Sequence, residues 1–171
     1  MNHEFKLIFQ LPENAPPTNE MVEALAEAGC DDAIVGTGHP GRIAIEFSRE
    51  AENARQAIES AIDNVQSALP GAELIEAAPD YLGLTEIAEI IGISRQALRK
   101  QMLNRLDFPR PIHCGNPSLW HLAPVLEWLC QQRDYRVDPT LEDIARHNMH
   151  LNTRQQRQQA EELTKNQTVT A

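Results

Sequence analysis

Residues 84–101 read Leu84-Thr-Glu-Ile-Ala-Glu-Ile-Ile-Gly-Ile-Ser-Arg-Gln-Ala-Leu-Arg-Lys-Gln101, and the rest of the chain is best understood outward from this stretch. Its spacing predicts two short helices joined at a sharp angle. Thr85 is expected to cap the first, Ile87, Ala88 and Ile91 to form its inward face, and Gly92 to end it. Ser94 is expected to cap the second, over 94–105, with Leu98 and Met102 turned inward. Gly92 permits the tight turn, Ile93 fills the angle between the helices, and the small Ala88 lets them approach closely. The outward face of the second helix then presents Arg95, Gln96, Arg99 and Lys100. A purely structural helical hairpin needs the same apolar pattern but has no use for a cationic outer face. These side chains are the types that hydrogen-bond base edges and phosphates in a major groove.

Downstream, residues 108–121 form an extended, proline-bounded segment that turns at Gly115-Asn116-Pro117, the pattern of a β wing. Pro124–Gln131 follows as a helix with Val125, Trp128 and Leu129 on one face. Taken together, residues 82–130 resemble the winged helix-turn-helix of the MerR-like superfamily, most closely its AlpA/excisionase branch. The resemblance is carried by Leu84-Thr85-x-x-Ala88-x-x-x-Gly92-x-Ser94-Arg95, by Phe108-Pro109-x-Pro111, and by Trp120 leading to Val125-x-x-Trp128-Leu129. It implies base reading by Arg95, Gln96, Arg99 and Lys100, and phosphate contact by Ser94, Arg105, Arg110 and His113. It also implies core positions for Trp120 and Trp128. It covers under a third of the chain. MerR regulators usually begin with this module and continue into a coiled coil and an effector domain, whereas here it follows another domain, so sensing of metals or drugs does not carry over.

Upstream, residues 1–80 read as a small α/β domain that resembles no family we recognise. Phe5, Leu7, Phe9 and Leu11 alternate with polar neighbours as a strand does. A helix from Thr18 or Asn19, with Val22, Leu25 and Ala26 inward, stops at Gly29. Two strand-like runs follow, Ala33–Val35 and Arg42–Phe47, and then a long helix capped by Ser48 with the stripe Ala51, Ala54, Ile58, Ala61, Ile62, Val65 and Leu69. Ala72–Ala77 supplies a fourth strand. The order β-α-β-β-α-β is the split arrangement of ferredoxin-like folds. The turn Gly36-Thr-Gly38-His-Pro-Gly41 matches G-x-G-x-x-G, but a strand and not a helix follows it and Pro40 lacks an N–H, so it reads as a hairpin loop and no nucleotide cofactor is expected.

The chain of 171 residues divides sharply in charge, and this limits its partners. Residues 1–80 carry four basic and 15 acidic side chains, net −11, while 94–136 are net +4 with seven basic against three acidic. A positive module rides on an acidic one, so the protein is not a general coat for nucleic acid. The three cysteines (Cys30, Cys114, Cys130) form no CxxC pair and are expected to be reduced thiols. His113, Cys114, His121 and Cys130 lack zinc-knuckle spacing and no metal is expected; His121 reads as a cap-region residue and Cys130 as a small buried apolar group. Adjacent Asp31 and Asp32 read as solvated turn acids. No triad of nucleophile, base and oxyanion donor is visible, so no catalytic residues are assigned. No apolar run approaches a membrane span, and a cytoplasmic protein is expected.

Asp138-Pro139 opens a last helix with Leu141, Ile144, Ala145 and Met149 at helical spacing; past Asn152 the composition turns to glutamine and the end is expected to fray. This helix either forms a dimer or tracks DNA, or packs on its own domain. The expected architecture is therefore α+β: a ferredoxin-like domain over 1–80, a winged helix-turn-helix domain over 81–136, and a C-terminal helix and polar tail over 137–171. The expected function is binding of double-stranded DNA as a regulator of transcription or of a mobile-element process. A homodimer is expected, because one short helix reads only a few base pairs. The alternative is a protein-interaction adaptor or antitoxin-like accessory factor whose acidic N-terminal domain holds a protein partner.

Overall fold

The computed structural model describes residues 1–132 and 134–169. Arg133, counted in the basic stretch, and Thr170 and Ala171, the end of the tail expected to fray, lie outside the described residues. The fold is mixed α+β. Its main sheet is built from β1 (Asn2–Gln10), β2 (Ala33–Gly36), β3 (Arg42–Glu50) and β4 (Glu73–Ala78) in the order β2-β3-β1-β4, with every neighbouring pair antiparallel. Helices α1 (Thr18–Glu27) and α2 (Ala54–Ala68) connect these strands in the β-α-β-β-α-β sequence of elements. Period-two alternation places Phe5, Leu7, Phe9, Ile43, Ile45 and Phe47 on one face of the sheet, buried against Met21 and Leu25 of α1 and Ala57, Ile58, Ala61 and Val65 of α2. The other face carries Glu4, Lys6, Ile8, Ala44, Glu46 and Ser48 and stays exposed or half-exposed.

Several local expectations need correction. The strand β3 does not stop before Ser48 but runs on to Glu50, and Asn53 caps α2 by accepting from the Gln56 N–H at 2.9 Å. The reason is Arg49, which continues the inward alternation although it is charged. Its guanidinium donates to both Asp32 carboxylate oxygens (2.7 and 3.0 Å), to the Gly29 carbonyl, to Ser60 and to Asn64. A buried cation so completely satisfied can occupy a core position. Asp32 is therefore an ion-pair partner and not a solvated turn acid. In α1 the inward residues are Met21 and Leu25, while Val22 and Ala26 face solvent. The G-x-G-x-x-G segment closes the β2–β3 hairpin, with Gly41 at φ 73°, a conformation that glycine adopts without strain.

The second part of the chain has its own core, in which Ile87, Ala88, Leu98, Phe108, Trp120, Val125, Leu126, Trp128 and Leu129 are buried together. Its elements are β5 (Tyr81–Leu82), α3 (Leu84–Ile91), α4 (Arg95–Asn104), β6 (Trp120–His121) and α5 (Leu122–Cys130), with β5 and β6 pairing antiparallel. Thr85 does not cap α3: the helix starts one residue earlier, and Glu86 reaches back to accept from the Gly83 N–H at 2.8 Å. Cys130 is exposed, not buried, with its Sγ 3.7 Å from a Glu142 carboxylate oxygen.

The last helix, α6 (Pro139–Val169), joins the two cores. Asp138 caps it, accepting from the Thr140 N–H at 2.9 Å. Ile144 and Leu151 are buried in the sheet domain's core, Ala145 in the other. The helical backbone continues past Asn152 to Val169, with Arg157–Glu161 and Gln158–Glu162 pairs at i,i+4 along it. No helix among the described residues is long and apolar enough to cross a membrane.

Candidate nucleic-acid interface

The position of α4 is set from behind. Gly92 ends α3 in the left-handed conformation (φ 73°), and the Ile93 N–H returns to the Ala88 carbonyl at 2.9 Å, which turns the chain sharply. Ser94 then starts α4 by accepting from the Ala97 N–H at 3.1 Å. Leu98, fully buried, anchors the helix to Ile87 and Ala88, with Ile93 and Met102 packed at the margin of the same core. With its inner side so held, α4 turns Arg95, Gln96, Arg99 and Lys100 to solvent. None of the four makes a hydrogen bond or ion pair with another side chain among the described residues. Four donor-rich side chains therefore stand together with their donors uncommitted.

The remaining expected contacts are placed less uniformly. Residues 112–119 fold into a small hairpin, in which the Ile112 and His113 N–H groups donate to the Leu119 carbonyl and the Leu119 N–H returns to His113. Arg110 at its foot is exposed. His113 is exposed too, but its imidazole lies over Gly115, where any side chain would collide with the ring. Arg105 does not stand with the α4 cations. Its guanidinium grips Asp107 through two bonds (3.0 and 2.9 Å), donates to Gln132 at 3.2 Å and lies 5.3 Å from the centre of the Trp128 ring. Asp107 in turn accepts from the Trp128 indole N–H at 3.2 Å, and these bonds, Arg105 foremost, hold its carboxyl below the usual carboxylate range. Arg105 thus ties the end of α4 to α5. Trp120 and Trp128 are both buried, and the Trp120 indole donates to the Pro109 carbonyl at 3.1 Å.

Leu103 was missing from the sequence-based face. It lies one turn beyond Arg99 on the same side of α4 and is 61% exposed, and Leu106 just after the helix is fully exposed. The signal was the i,i+4 spacing from Arg99, masked by the habit of reading leucine as core.

Between the two cores lies a buried polar joint. The Asp80 carboxylate, fully buried, is 2.8 Å from His121 Nδ1 and accepts from Asn152 Nδ2 at 2.8 Å, while the Asp80 carbonyl accepts from the Leu122 N–H at 2.8 Å. His121 is the N-cap residue of α5, as expected, but its side chain makes no capping bond to the helix and binds across the joint instead. Next to it, burial and the charges of Asp80 and Glu76 push the Tyr81 hydroxyl up to about 12, so it stays protonated, and it accepts a bond from Gln156 of α6 at 2.8 Å. The second core is thus anchored to the sheet domain through α6 and residues 79–82.

The open side of the sheet forms a second feature, a cavity of about 650 Å³. Ile34 contributes exposed apolar surface, Pro79 and Leu82 form one side, and Glu4, Asp31 and Glu46 supply acid. Comparison with known proteins returns no match: no protein-family model, no curated protein and no solved structure corresponds to this chain.

Proposed function

We propose that the chain binds duplex DNA, with α4 entering the major groove and the 112–119 hairpin lying against the backbone, in a ferredoxin-like plus winged helix-turn-helix arrangement. One observation carries this reading: Arg95, Gln96, Arg99 and Lys100 project from one side of a helix whose other side is locked by Leu98 and whose start is fixed by Ser94. Arginine, glutamine and lysine on an exposed helix match the donor and acceptor pattern of base edges, and their charge neutralises phosphate. Arg110 adds a cation beside the hairpin. Arg105 takes a supporting role, since its fork is held by Asp107. The role is that of a cytoplasmic regulator of transcription or of a mobile-element process, acting as a homodimer and without a catalytic step.

The experiment is a mobility-shift or anisotropy titration on mixed-sequence duplex at several salt concentrations. At about four phosphates neutralised, affinity falls with salt at a logarithmic slope of about −3.6. The combined Arg99→Ala and Lys100→Ala change abolishes binding while the melting curve stays put. Binding that ignores both salt and that double change refutes the reading.

An adaptor function is the second reading, and the acidic cavity on the open sheet favours it. Partners recovered on the sheet domain after complete nuclease digestion would support it; their loss on digestion would support DNA.

A further inference from the structure

The acidic sheet face and α4 are complementary surfaces within one sequence. Among the described residues, α1, α2 and α6 pack into the core on the buried side of the main sheet. The opposite side holds the cavity of about 650 Å³, in which Ile34 is 74% exposed. Two of its charges are already neutralised, Glu46 by Lys6 and Asp32 by Arg49, each at 2.7 Å. Glu4 and Asp31 make no ion pair among the described residues, so the cavity keeps uncompensated negative charge beside the exposed Ile34.

Such a surface fits a helix that is cationic along one part and apolar at its end. The chain carries one. Along α4 and just past it, Arg95, Arg99 and Lys100 are followed by the exposed Leu103 and Leu106. The dimensions agree as well: three spacings between four strands make a platform about 14 Å wide, and a ten-residue helix is about 15 Å long. Exposed leucines beside uncommitted cations complement an exposed isoleucine beside unpaired carboxylates.

We infer that α4 of one copy of this chain docks in the sheet-face cavity of a second copy, with Arg99 and Lys100 against Glu4 and Asp31 and with Leu103 and Leu106 over Ile34. The contact joins two different surfaces and is heterologous. It covers the residues assigned to base reading, so the associated form is closed to duplex. Because it concerns protein alone, it is measured without nucleic acid and stands or falls separately from the DNA reading.

The test is sedimentation of the full-length protein, free of DNA, at about 50 mM and about 500 mM salt, where screening differs several-fold. Association is expected at low salt and at least tenfold weaker at high salt. Two charge-reversed proteins, Glu4→Lys with Asp31→Lys and Arg99→Glu with Lys100→Glu, should each lose self-association at least tenfold, with unchanged thermal melts showing that both fold. Their equimolar mixture should recover a complex, since each then offers the surface the other lacks. A wild-type protein that is monomeric at low salt, a reversed protein that still associates like wild type, or a mixture that stays monomeric would overturn the inference. A basic partner of another kind in the cavity corresponds to the first of these outcomes.

Discussion

The side-chain amide of Asn152 forms a two-point hydrogen bond with the backbone of Ala77, donating to its carbonyl and accepting from its N–H, both at 2.8 Å. Ala77 belongs to β4, whose outer edge has no strand beside it in the β2-β3-β1-β4 order. Asn152 thus does for one residue what a further strand would do, and α6 covers an edge that would otherwise expose unpaired backbone. The same amide nitrogen donates to Asp80, and four residues earlier Asn148 Nδ2 donates to the Pro79 carbonyl at 3.2 Å. Two asparagines one turn apart therefore seat the helix over the junction of both cores.

Replacing Asn152 with alanine leaves the Ala77 N–H and carbonyl buried without partners and deprives Asp80 of a donor. At about 1–3 kcal/mol for each stranded group, with partial relaxation, the expected loss is about 3 kcal/mol. For a chain of this size that lowers the melting temperature by roughly 6–12 °C. Urea or thermal unfolding checks it. A change within about 0.5 kcal/mol would show that α6 is not held at this point.

The two sides of α4 should separate cleanly in mutation. Leu98→Ala empties a fully buried site and is expected to cost about 2–5 kcal/mol. Leu103→Ala, at a largely exposed site, should leave stability within about 0.5 kcal/mol. Arg99→Ala should likewise be silent in unfolding and act only on binding. Parallel denaturation and duplex titrations of the three proteins decide the matter; a strongly destabilised Arg99→Ala would mean that this face packs inside the protein.

Most of this architecture could be read from residue patterns wherever polarity follows burial. Phe5, Leu7 and Phe9, and Ile43, Ile45 and Phe47, alternate without exception, and Gly92 with Ser94 marks the corner before α4 in two letters. Two of the misreadings fall where a polar residue is buried. Ser48-Arg49-Glu50 looks like the start of a helix because nothing in its composition reveals that Arg49 is satisfied by Asp32, Gly29 and Asn64, which are distant in sequence. The docking of α6 was hidden for the same reason, since Asn148 and Asn152 look like surface residues. The pairing of Arg105 with Asp107 and Trp128 was not legible either, because it depends on the folded arrangement of α4 and α5.

Arg105 and Arg110 make a direct comparison. Arg105 is half-exposed and spends its donors on Asp107 and Gln132, so Arg105→Ala should weaken the tie between α4 and α5 only slightly, as expected of an exposed pair. It should leave the salt slope of duplex binding unchanged. Arg110→Ala should do the reverse, leaving unfolding unaltered and reducing the slope by about 1. Salt titrations of both variants test the pair; a smaller slope for Arg105→Ala would show that Asp107 releases it on binding.

His147 supplies a pH dependence. It sits at the contact of α6 with α2, its Nε2 buried without a hydrogen-bond partner and 3.8 Å from a Glu59 carboxylate oxygen, beyond hydrogen-bond reach. Burial lowers its pKa from the ordinary 6.5; Glu59 and Asp143 pull the other way, while His150 and Arg55 add to the lowering. A histidine whose pKa is lower folded than unfolded takes up its proton first in the unfolded chain. Its effect on stability is therefore absent well above pH 6.5, and stability falls as the pH drops through 6.5 towards the lower folded value. His147→Gln removes that proton linkage. The difference in unfolding free energy between wild type and His147→Gln, measured at intervals from about pH 8 to pH 5, should be constant down to about 7 and then shift against the wild type. A difference that stays flat across the whole range, or that moves in favour of the wild type in acid, would show that Glu59 outweighs burial and that the imidazole is charged in the fold.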